Sequence, residues 1–146
     1  MTMDTWNPQA TASFWINRAS RALQKLQEGR LRPLGLGMSQ MPVLHALQDG
    51  GALTQKELAQ RARVEQPTMA EMLARMERGG VVQRAPNPND GRESLTSLTG
   101  EALRRWPDGK LALMEVEREA TAGFTAEEKE LLRKLLQRVA ENLTAG

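Results

Sequence analysis

The residues best suited to chemistry stand in one short run, Gln66, Thr68, Glu71 and Arg75, spaced by two, three and four positions. On a helix Thr68, Glu71, Arg75 and Arg78 share one free face, with Gln66 and Ala70 near its N-terminal end. The chemistry these side chains share is hydrogen bonding to base edges and phosphates. Glutamine pairs bidentately with adenine, arginine with guanine, and a glutamate accepts from cytosine N4, while a threonine hydroxyl suits a phosphate oxygen. Glu71 has two further readings: a rim acid that repels wrong sequences, or a salt-bridge partner for Arg75 one turn on.

Other chemistries lack their parts. The 146-residue chain has no cysteine, no tyrosine and a single histidine, His45. With no Gly-rich phosphate loop either, the nucleophiles and acid–base pairs of an enzyme have no constellation. The absence of cysteine also removes disulfides, thiolate metal sites and thiol redox sensing. A lone histidine has no second ligand of its kind, so neither metal nor cofactor is expected. The first twenty residues lack a basic start followed by an apolar run, and eighteen apolar residues never stand in succession. A soluble cytoplasmic protein with no membrane span is therefore expected.

Bulk charge says little about partners, since the formal net charge is +2 despite a pI near 9.4. From Leu53 to Thr99 seven cations face six acids. If this stretch reads nucleic acid, a few placed arginines must do what a general basic field does elsewhere. The same balance leaves a second function open, a winged-helix module that binds another protein.

The elements that would position these residues follow from the punctuation of the chain. Thr54 and Glu57 form a capping box that opens a helix at Gln55, with Leu58, Ala59 and Ala62 facing inward. Residues 62–65 make a turn, and Pro67 marks the start of the next helix, where Met69, Met72, Leu73 and Met76 recur at helical spacing. Gly79-Gly80 ends it. Val81 to Arg84 reads as a short strand, Pro86 to Gly91 as dense turn chemistry, and Glu93 to Thr99 as the returning strand. Helix, turn, helix and hairpin make a winged helix-turn-helix, so the fold class is mainly α with a small β wing.

The flanks are helical. Asn7-Pro8 predicts a helix to about Leu31, with Trp15, Ala19, Ala22, Leu23 and Leu26 as a packing stripe. Ser39 is placed to cap a short helix through Leu47. Thr99 opens a long helix in which Pro107 predicts a break or kink. Thr125 and Glu128 cap a last helix whose Leu131, Leu132, Leu135, Leu136, Val139 and Leu143 form a seam too wide for one chain to cover. A homodimer through the chain ends is inferred. The expected organisation is therefore residues 1–34 and 100–146 for dimerisation and residues 35–99 for reading DNA.

At this point the residues resemble a known family. Met38-Ser39-Gln40 through Leu47, the run Leu53 to Ala59, Gln66-Pro67-Thr68, Leu73 to Arg78, Gly80 and Arg84, then Asp90-Gly91-Arg92 and Leu98-Thr99, are similar to the MarR family of bacterial transcription regulators. The resemblance implies a homodimer with interleaved terminal helices and two winged helices on a palindromic operator of double-stranded DNA. It also implies a long helix continuous across Pro107, and a wing arginine, Arg92, that enters the minor groove while Asp90 helps hold it. A narrow A/T-rich minor groove favours a guanidinium; the plainer reading of Asp90-Gly91 is a good turn. The middle wing residue, often basic in relatives, is Gly91 here.

Ser39 and Lys56 join Thr68 as expected phosphate contacts. Relatives commonly bind a small aromatic or phenolic effector between the dimerisation helices and the reading unit. Trp15, His45 and Trp106 are the candidate pocket residues, core packing being the alternative for each. A repressor released by such a ligand is the expected function.

Overall fold

The computed structural model describes residues 5–145. Its elements are α1 (Ala12–Leu31), α2 (Met41–Leu47), β1 (Ala52–Thr54), α3 (Gln55–Ala62), α4 (Gln66–Arg78), β2 (Val82–Asn87), β3 (Asp90–Leu98), α5 (Gly100–Ala120) and α6 (Ala126–Thr144). No helix among the described residues is long and apolar enough to cross a membrane.

The helix-turn-helix forms as its caps dictate. Thr54 accepts from the Glu57 amide at 3.2 Å while Glu57 Oε1 accepts from the Thr54 amide at 3.2 Å, so α3 starts where the capping box puts it. The helix ends at Arg63, which adopts a left-handed φ of 56° and donates its amide back to the last turn. Met69, Leu73 and Met76 of α4 are buried, leaving Thr68, Glu71 and Arg75 exposed on the other side and Gln66 exposed at the start of the helix.

The core gathers these methionines and Leu73 with Val43, Leu44 and Leu47 of α2, Leu58 and Ala59 of α3, and Val82 and Leu98 of the hairpin. Leu31, Ala102 and Trp106, from the flanking helices, belong to the same core. Burial of such apolar surface contributes about 1.5–3 kcal/mol for each large side chain, which is what holds so short a hairpin against the helices.

Several sequence expectations need correction. The sheet has three strands, in the order β1-β3-β2, because Ala52, Leu53 and Thr54 pair antiparallel with Ser97, Thr96 and Leu95. The wing ladder extends further than its turn chemistry suggested, with Pro86 opposite Ser94 and only Pro88 and Asn89 left as the turn. The first α-helix starts at Ala12, after a separate 3-10 turn over Pro8–Ala10, because Thr11 is extended and its hydroxyl caps the Phe14 amide. Ser39 caps nothing: it lies inside a 3-10 turn, Met38–Gln40, where the Gln40 side chain accepts from the Gly37 amide at 3.0 Å.

Of the two expectations at Pro107, the break from residue rules is absent and the continuity that the resemblance implies is present, with α5 running unbroken from Gly100 to Ala120. A mid-helix proline costs about 3 kcal/mol. Pro107 is exposed, however, while Ala102, Trp106 and Gly109 are buried. A Cβ at Gly109 would stand 3.0 Å from Leu36 Cδ1 and 3.1 Å from Trp106 Cε3, so the helix is seated closely there. Tertiary packing outweighs the local defect.

The packing stripe of α1 also falls differently. Trp15, Ala19, Ala22 and Leu26 are exposed within the chain, and only Leu23 is half-buried. Helix α6 contains no buried residue at all. Leu131 is 58% exposed and Leu143 80%, with Leu132, Leu135 and Leu136 also open and Val139 half-covered. Leu111 and Met114 add exposed apolar surface on α5.

Candidate nucleic-acid interface

Three elements converge on one polar cleft of about 310 Å³, lined by Thr54, Gln55, Lys56, Gln66, Arg92, Glu93 and Ser94. The N-terminal turns of α3 and α4 supply the first four. Strand β3 supplies the last three because its register, with Leu95 opposite Thr54, brings the wing beside the start of α3. Gln55 Nε2 donates to the Gln66 carbonyl at 3.5 Å, joining the two helix starts. Helix N-termini present unsatisfied amides and a partial positive charge, so this is a place where a phosphate is favoured.

Further along α4, Glu71, Ala74, Arg75 and Arg78 border a shallow exposed groove of about 330 Å³. Neither Glu71 nor Arg75 enters an ion pair among the described residues, so the salt bridge considered between them is not formed. Both remain available to a partner. Ala70 is half-buried beside them, Thr68 is exposed on the first turns of the same helix, and Ser39 is exposed ahead of α2. Arg78 lies on this face as its spacing predicts, and Ala74 extends it beyond the residues the sequence singled out.

The wing tip is built by its own aspartate. Asp90 Oδ1 accepts from the Arg92 backbone amide at 3.0 Å, which fixes the turn and leaves the guanidinium exposed. Asp90 therefore holds Arg92 through the main chain. Deeper in the hairpin Arg84 Nε lies 3.8 Å from Glu77 Oε1, tying β2 to the last turn of α4.

The proposed pocket residues are only partly brought together. His45 Nδ1 lies 3.2 Å from Gln48 Nε2, and Gln48 Oε1 accepts from Trp106 Nε1 at 3.0 Å and from Lys110 Nζ at 3.3 Å. With Gln48 Oε1 facing two donors, its amide nitrogen faces the imidazole, which acts as acceptor at Nδ1. Trp15 is engaged elsewhere: its indole donates to the Gln9 carbonyl at 2.8 Å, and Arg18 sits 5.8 Å over the ring. Gln48 and Lys110 escaped sequence reasoning because only the α2–α5 contact reveals them.

An ion pair fixes the flanks. Glu119 accepts from Arg30 Nη2 at 2.8 Å, joining the ends of α1 and α5. That hydrogen bond holds the Glu119 carboxyl below the usual glutamate range. The Glu57 carboxyl is likewise lowered, first by the Thr54 backbone amide and then by its hydroxyl. Among the described residues no group of three His, Asp or Glu is placed to hold a metal ion.

The MarR family model matches residues 34–93. An uncharacterized HTH-type transcriptional regulator of Bacillus subtilis, YwoH, is 37% identical over 122 residues, covering 84% of this chain and 88% of its own. The multiple antibiotic resistance protein MarR of Escherichia coli is 30% identical over 139 residues, covering 94% and 96%. Among solved structures, a mutant MarR from E. coli complexed with operator DNA matches with a TM-score of 0.74 at 28% identity, over 86% of this chain and 90% of that one. The PcaV transcriptional regulator of Streptomyces coelicolor, in complex with its natural ligand, matches with a TM-score of 0.76 at 25% identity, over 97% and 98%. Members of this family are transcriptional regulators and not enzymes. Its mainly helical winged fold and its similarity along most of its length place the chain in the MarR family of transcriptional regulators.

Proposed function

We propose that this regulator acts in the cytoplasm as a homodimeric repressor that binds a palindromic operator and is released by a small aromatic or phenolic ligand. Residues 35–99 read the DNA, and residues 1–34 with 100–146 hold two copies together. The observation that carries the reading is the convergence of Lys56, Gln66 and Arg92 on one polar cleft, next to an unpaired Glu71 and Arg75 on the same helix. Gln66, Glu71 and Arg75 take base edges in the major groove with Ala70 allowing close approach, Thr68, Lys56 and Ser39 take phosphates, and Arg92 enters the minor groove. The match to a relative complexed with operator DNA supports DNA as the partner.

Exposed apolar faces on α1, α5 and α6 support the dimer, since Trp15, Leu26, Leu111, Met114 and the α6 leucines are too extensive to leave in water. For the effector, the His45–Gln48–Trp106 group at the α2–α5 contact is the candidate site, and the ligand-bound relative supports a small-molecule response. A ligand there must favour one spacing of the two reading units over another.

Selection of bound DNA from a random pool tests the function. The expected product is a palindrome with half-sites about one helical turn, roughly 34 Å, apart. No enrichment would favour the alternative, a winged-helix module that binds protein.

A further inference from the structure

The polar cleft has one member whose charge opposes a phosphate. Its lining carries two cations, Lys56 and Arg92, and one acid, Glu93. Among the described residues, none of the three is in an ion pair. Glu93 is therefore neither consumed by a neighbouring cation nor buried, being exposed on β3. It also borders the groove on the far side of the wing, with Arg84, Pro86, Gly91 and Arg92. The other cation there besides Arg92, Arg84, lies 3.8 Å from Glu77.

We infer that Glu93 is an affinity-limiting residue that weakens phosphate binding in the cleft between α3, α4 and the wing, irrespective of DNA sequence. The inference rests on the proposed DNA-binding reading. Its physical basis is the charge of the cleft, which is +1 with Glu93 and +2 without it. A carboxylate bordering the same cleft lies within a Debye length of any phosphate held there, about 8 Å at physiological salt, so its repulsion is felt. Phosphate contacts carry no sequence information, so the weakening applies equally to operator and random duplex. The reading face is close to charge-balanced from Leu53 to Thr99, so one acid at the phosphate cleft is a large fraction of the local field.

The test is a salt series of duplex titrations on the full chain, with the selected operator and with a random duplex. It compares the parent with Glu93→Gln, Glu93→Ala, Arg92→Ala and, as a control for bulk charge, Glu127→Gln on α6. Both Glu93 variants should bind both duplexes about threefold to tenfold more tightly at low salt. The gain should be equal for the two duplexes and fade as salt rises, and Glu127→Gln should match the parent. Thermal unfolding of each variant confirms that the fold is kept. If Arg92→Ala loses binding while both Glu93 variants bind like the parent or more weakly, the inference falls and the DNA-binding reading stands. A gain confined to the operator, or matched by Glu127→Gln, overturns it too. If the parent binds neither duplex, both fall together.

Discussion

Trp106 donates its indole N–H to Gln48 Oε1 at 3.0 Å, a hydrogen bond that crosses from the long helix α5 to the end of α2. Trp106 is only 3% exposed, and the bond meets the requirement that a buried indole find an acceptor. It places a buried ring of the flanking helix in the core of the reading unit. Trp106→Phe should keep most of the packing and lose the bond, costing about 1 kcal/mol, whereas Trp106→Ala should cost about 3–5 kcal/mol. Urea unfolding of both variants separates the two contributions. Equal losses would mean that the hydrogen bond, and not the packing, carries the stabilisation.

Arg75 and Lys56 should fail differently. Arg75→Ala should remove about 1–3 kcal/mol of discrimination and relax preference at one base position of each half-site. Lys56→Ala should weaken all duplexes alike and lower the salt slope by about 1. Binding isotherms at several salt concentrations, on operators changed one base pair at a time, measure both. An unchanged base preference in Arg75→Ala would remove that residue from the reading set.

The apolar face of α6 predicts its own outcome. The parent should sediment with the mass of two chains, and Leu135→Lys combined with Leu132→Lys should sediment as one. A single-chain mass for the parent would leave the exposed leucines without the proposed partner.

Acid should weaken the start of α3. The Glu57 carboxyl is held low by the Thr54 amide, so its folded value lies below its unfolded one, about 4.3. Its contribution is complete above the unfolded value and is lost as pH falls through the lowered folded value. The gap in urea midpoint between the parent and Glu57→Ala should therefore be larger at pH 7 than at pH 3. Thr54→Ala, which removes the cap itself, should cost about 1 kcal/mol at neutral pH.

Local signals were legible where they are strong. The two capping boxes at Thr54 and Thr125, and the burial of Met69, Leu73 and Met76, stand where spacing put them, because capping and helical periodicity are short-range properties. Strand β1 was not legible, since three residues, Ala52-Leu53-Thr54, are too few to show alternation and form a strand only by pairing with β3. The stripe of α1 was identified but its partner was not. Periodicity tells which face is apolar, not whether its cover lies in the same chain. At Pro107 the residue rule and the resemblance pointed apart, and the true local cost of the proline is overridden by the seating of Trp106 and Gly109. Glu93 and Ser94 belong to the cleft only through the β1–β3 register, a relation between positions some forty residues apart that no local pattern encodes.

Thr54 is both the last residue of β1 and the cap of α3, so not one residue of slack separates sheet from helix. Mechanically this is a welded corner. A tilt of the wing sheet is passed to α3 as a rotation, with no loop to absorb it, and through the Gln55–Gln66 contact to the start of α4. Arg92 and Gln66 then move as points on one plate, and in the proposed dimer the distance to be adjusted is the distance between two such plates.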